Sequence, residues 1–157
     1  MSLIFSLTVA FISSPTSWAE SPHSHASSPA GEKLELKLNQ GKKWETDKPL
    51  REGMQNIKKL LESDMTAIHE EKLSEASYST LSQKITVELN KIFKNCKLKA
   101  AADAMLHLIL AQVMKGAAQM KSEQQSSGRL DGAVTVMKAL DQYAQFFDHP
   151  GWKPIQH

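Results

Sequence analysis

The sequence of 157 residues has one cysteine, Cys96, so no disulfide can form within the chain. Aromatic residues are sparse at 6%, and there are only 7 Gly and 6 Pro, too few for a collagen-like or wholly low-complexity chain. Charge of one sign is lacking as well. The 19 Lys and Arg against 17 Asp and Glu leave a net +2, too little for the electrostatic footprint of a nucleic-acid binder. The N-terminal apolar run Leu3 to Ile12 is about half as long as the ~20 residues of a membrane-spanning helix, and no other stretch approaches one. There is no Gly-rich phosphate loop, no nucleophile motif and no HExxH, so no enzyme class is indicated. The absence of CxxCH excludes covalent c-type haem.

What is present suits one domain of ordinary size, with 41% hydrophobic and 23% charged residues. Leu3 to Ile12 is followed by Pro15 and by the small residues Ser17 and Ala19 around Trp18. Residues 1–19 therefore read as a cleaved secretory signal, although no Lys or Arg precedes the run. The expected location is a bacterial periplasm. Residues 20–33 are rich in Ser, Pro and Ala and read as a disordered leader. The leader carries His23 and His25, a weak metal-binding pair.

From residue 34 to 153 the pattern is that of a folded domain, with residues 154–157 as a tail. Leu34, Leu36 and Leu38 alternate with charged residues, as in a short extended segment, which Asn39-Gln40-Gly41 should break. Four helical stripes follow. The first starts at Thr46 or Asp47 and carries Leu50, Met54, Ile57, Leu61, Met65 and Ile68. The second starts at Ser74 and carries Leu81, Ile85, Leu89, Ile92, Phe93 and Cys96. The third runs from about Leu98 to Gln119, and its stretch Ala104 to Met114 is apolar nearly all round, which suits a central helix or an interface. The fourth follows Ser126-Ser127-Gly128 and carries Leu130, Val134, Met137, Leu140, Ala144 and Phe147, stopping at His149 before Pro150. Similar lengths and short links predict an all-α, up-down-up-down four-helix bundle.

That topology gathers the start of helix one, the end of helix two, the start of helix three and the end of helix four. Trp44 and Trp152 should cap this end, and Met54, Cys96, Met105, His107 and His149 lie on the elements that meet there. Met, Cys and His are the donors soft copper prefers, and a Met–His pair on facing helices can hold b-type haem. Each residue also has a plain structural reading. Met54 and Met105 fit core stripes, His107 can bond Asp103 one turn back, Cys96 can be a small buried hydrophobe, and His149 can sit at a helix C-terminus. Two functional expectations follow. One is a periplasmic metal- or haem-binding bundle. The other is a cofactor-free interaction or adaptor module, which meets a second copy or a protein partner through the apolar face of helix three.

The segments Lys43-Trp44-Glu45-Thr46-Asp47, Leu50-Arg51-Glu52-Gly53-Met54, Asn95-Cys96-Lys97-Leu98, Ala102-Asp103-Ala104-Met105-Leu106-His107 and Phe147-Asp148-His149-Pro150-Gly151-Trp152 resemble small exported proteobacterial proteins of the DnrO type. The resemblance spans roughly residues 34–153 and implies a periplasmic helical protein with a His-bearing leader. The label suggests a transcriptional regulator, against which stand the signal peptide, the lack of a helix-turn-helix signature and the small net charge. A looser likeness is to soluble periplasmic b-type cytochromes, four-helix bundles in which Met54 and His149 would take the ligand places, with His107 closer to Met54 in height.

Overall fold

The computed structural model describes residues 34–122 and 126–155. The expected signal over residues 1–19, the expected leader over 20–33 and the pair His23 and His25 lie outside the described residues. The fold is all-α, with four helices: α1 Lys48–His69, α2 Glu75–Asn95, α3 Ala100–Lys121 and α4 Ser126–Phe146. None of them is long and apolar enough to cross a membrane.

Local chemistry sets the helix ends. Asp47 caps α1, its Oδ1 accepting from the Leu50 amide at 2.9 Å, and Pro49 sits in the first turn, where its missing N–H costs nothing. Ser74 caps α2 by accepting from the Ser77 amide at 3.1 Å. Lys99 precedes α3 without a side-chain cap. Ser126-Ser127-Gly128, expected to be a break, instead forms the first residues of α4. At its far end α4 stops at Phe146, three residues before His149.

The core takes the inward stripes: Leu50, Met54, Ile57, Leu61 and Ile68 from α1, Leu81, Ile85, Leu89 and Ile92 from α2, and Val136, Leu140 and Tyr143 from α4. From α3 it takes Met105, Leu106, Ile109, Leu110 and Val113. Helix three thus turns both Leu106 and Leu110 into its own chain, and only Met114, half exposed, remains of the outer face expected to meet a partner. Phe93, expected on the α2 stripe, is also nearly half exposed.

Two seams are closed by glycine. A Cβ on Gly116 would stand 2.5 Å from the Gly132 carbonyl oxygen, and one on Gly132 would stand 2.6 Å from the Gly116 oxygen, so the backbones of α3 and α4 touch. On the α1–α2 side, Gly53 leaves room for the Ile92 side chain.

No strand forms among the described residues; Asn39–Lys42 and Trp44–Phe147 make isolated bridges. Of the alternating leucines, Leu36 packs on the core, while Leu34 and Leu38 stay exposed. After α4, residues 147–155 continue as a strap. Trp152 lies beneath the Lys58 ammonium of α1, which is 5.7 Å from the ring centroid, and Ile155 is buried.

Candidate functional site

The tryptophan-bearing end is tied by a short polar network. The Trp44 amide donates to the Phe146 carbonyl, and the Asp148 amide donates back to the Trp44 carbonyl, both at 2.8 Å. Thr46 Oγ1 donates to the Asp148 carbonyl at 2.6 Å, and Arg51 donates to Thr46 at its carbonyl and its hydroxyl. The second oxygen of Asp47 accepts from the Lys97 amide at 2.6 Å. The entry to α1, the exit of α2 and the exit of α4 are therefore joined through Trp44, Thr46 and Asp47. The Trp44 indole Nε1 donates to the Lys37 carbonyl at 2.7 Å. Trp152 packs on Tyr143 and His149, with centroid separations of 5.1 and 4.9 Å.

The five candidate ligands meet different surroundings. Met54 and Met105 are fully buried core side chains. His107 is exposed; its Nδ1 lies 2.9 Å from the Asp103 carbonyl and 3.4 Å from the Asp103 carboxylate, and its ring faces Phe93 of α2. His149 sits by α4 and the strap, its Nδ1 3.0 Å from the Tyr143 hydroxyl. The two histidines thus belong to different seams, His107 to α2–α3 and His149 to α4 and the strap over α1. Cys96 is partly buried at the end of α2. Among the described residues, no three His, Cys, Asp or Glu side chains are grouped to hold a metal ion.

Three groups at this end, Cys96, Tyr143 and His149, are shifted toward their neutral forms. Burial pushes the Cys96 thiol up to about 12, helped by the Asp47 charge, the hydrogen bond to Asp47 and the charge of Asp103. Burial also raises the Tyr143 hydroxyl, against an opposing contribution from Arg51. His149 is shifted the other way, its pKa lowered by burial and then by Arg51, with Asp148 opposing. At neutral pH this cluster offers a thiol, a phenol and an uncharged imidazole rather than a thiolate nucleophile or a cationic acid.

A different feature lies on the α1–α2 seam. A groove of about 470 Å³ runs over Leu60 and Val87, between Lys59 and Ser63 of α1 and Lys84 of α2. Val87 is 52% exposed, the most exposed large apolar side chain of the four helices. The groove continues past Asn56 and Glu88 toward Pro49 at one end, and past Ser63 and Lys84 toward Asp64 at the other. Its one buried acid, Glu88, is already bonded: Asn56 Nδ2 donates at 3.0 Å and Lys91 Nζ at 2.7 Å. Burial alone would raise the Glu88 pKa, but these two hydrogen bonds and the Lys91 charge bring it below the ordinary value. Among the described residues, neither Lys59 nor Lys84 has an ion-pair partner. The sequence held a signal for this groove that helical periodicity passes over. Val87 lies off the α2 stripe of Leu81, Ile85, Leu89 and Ile92, an apolar residue on a polar face.

A smaller hollow of about 420 Å³ lies between Trp44, Glu45, Lys97, Leu98 and the first turn of α3. Its lysine Lys99 pairs with Glu45 at 3.1 Å.

No family model matches this chain, and no curated protein or solved structure matches it.

Proposed function

We propose that this chain is an exported interaction module that receives a partner in the groove between α1 and α2. The observation that carries the reading is Val87, an apolar side chain half open to solvent on the floor of an elongated groove, beside the partly buried Leu60. Apolar surface of this kind, rimmed by polar groups, is what docking faces present. Export rests on the N-terminal segment: an apolar run too short to span, then the small residues Ser17 and Ala19. The metal and haem reading draws less support, because two of its donors belong to the core and its histidines face different seams. The helix-three interface loses Leu106 and Leu110 to the core.

The reading is tested by photo-crosslinking in the producing cell. A photoreactive side chain at position 87 is compared with one at Lys115, on α3. The expected result is one adduct, formed from position 87 only, whose partner is identified by mass spectrometry and rebinds the purified chain. Equal adducts from both positions, or none from position 87, overturn the groove as a docking face.

A further inference from the structure

We infer that the occupant of the α1–α2 groove is an acidic amphipathic helix of a partner protein; this rests on the docking reading above and specifies its chemistry. Three observations lead there.

The first is length. The seam is depressed from Pro49 to Asp64 along α1, which at 1.5 Å per residue is roughly 22 Å, or about four helical turns. That length fits a helix laid along the seam, anchored by apolar side chains one turn apart.

The second is hydrogen bonding. Both walls are α-helices, whose backbone groups bond within each helix, so the groove has no free edge on which to add an extended strand. A helix satisfies its own backbone and needs only side-chain contact from the walls.

The third is charge. Lys59 and Lys84 come from opposite walls, line the same apolar floor and are unpaired among the described residues. Glu88 of α2, within the groove, is occupied by Lys91 and Asn56, Glu62 of α1 is held by Lys58 at 2.7 Å, and Asp64 lies at the far end, in a hollow it shares with Ser77, Thr80 and Lys84 but not with Lys59 or Val87. The uncompensated charge over Leu60 and Val87 is therefore positive. An apolar stripe flanked by Glu or Asp complements it, and a stripe flanked by Lys or Arg is repelled.

The test uses the purified full chain and two fluorescein-labelled synthetic 16-residue helices with the same leucine stripe, one flanked by Glu and the other by Lys. Fluorescence anisotropy is read at low and at high salt. The acidic peptide is expected to bind roughly tenfold tighter than the basic one, with the preference shrinking as salt rises. The double variant Lys59→Glu/Lys84→Glu should reverse the preference, and Val87→Asp should abolish binding of both. All three positions are exposed, so circular dichroism should report unchanged helicity in these variants. Equal binding of the two peptides, lost with Val87→Asp, overturns the acidic-helix inference while leaving the docking reading intact. Binding of neither peptide also overturns it, and the crosslink from position 87 then decides the docking reading alone. Self-association of the chain that Val87→Asp removes identifies a second copy as the occupant and overturns it too.

Discussion

The Tyr143 hydroxyl, on a side chain with no solvent exposure, lies 3.0 Å from Nδ1 of His149. The imidazole must stay neutral to accept from the phenol, and its surroundings favour that state, through burial first and then the Arg51 charge. The folded pKa of His149 is below its ordinary 6.5. An unfolded chain therefore takes up this proton before the folded one does. Stability from this group is full above about pH 6.5, falls as pH drops toward the folded pKa, and then stays level. The expected outcome is a Tm that declines on acidification through this window, with the decline reduced in His149→Gln. Tyr143→Phe should cost about 0.5–1.5 kcal/mol, measured by urea unfolding at pH 7.5.

Gly116 and Gly132 let two backbones touch, so a methyl group at either position has a carbonyl oxygen in its way. Gly116→Ala or Gly132→Ala should each destabilise by about 1–3 kcal/mol, the usual range for overpacking. Gly128 is the control, because an added Cβ there meets nothing within 4 Å. Gly128→Ala should be neutral or stabilise by up to about 1 kcal/mol through helix propensity. Thermal melts of the three variants check the order.

Cys96 should be a slow thiol. With a pKa of about 12, roughly 10⁻⁴ of it is ionised at pH 8, against roughly a quarter of an ordinary cysteine. Ellman's reagent should label the native chain slowly and the urea-unfolded chain at once. Asp47→Asn removes a negative charge beside the sulfur and should speed the native reaction, at a modest cost in stability because Asn still caps α1. Fast labelling of the native wild type would overturn this account.

Copper or haem should leave the folded domain little changed. The donors Met54 and Met105 are closed in the core, and His149 already shares a hydrogen bond through Nδ1. Melts after incubation with Cu(I) or haem are expected to match the untreated protein. A rise in Tm that saturates at one equivalent, and is lost in His149→Gln, would restore the ligand-site reading.

The helices were legible in the sequence because apolar spacing and caps agree. Of the α1 stripe, Leu50, Met54, Ile57, Leu61 and Ile68 are buried and Met65 is partly buried, and Ser74 caps α2 as its hydroxyl suggests. The start of α4 was not legible, since Ser and Gly can open a helix as readily as they can break one. Rotation about the helix axis separates the candidate ligands. Met105 and Leu106 both turn inward, and His107, about 100° further round α3, is carried to the surface beside Phe93. The topology that brings helix ends together does not fix which way their side chains face. The polar partners of this end, Arg51 to Thr46 and Tyr143 to His149, link residues whose pairing no local periodicity encodes.

The glycine contact between α3 and α4 has a consequence for motion. Where side chains separate two helices, a change of rotamer can let them part slightly, but two backbones in contact have no such layer to rearrange. Amides around Gly116 and Gly132 should exchange with deuterium only when the whole domain opens. The rim of the α1–α2 groove carries long, exposed side chains, Lys59 and Lys84, which can change rotamer without moving either helix. The rim of the groove can thus follow the outline of what it meets while the α3–α4 spacing stays fixed.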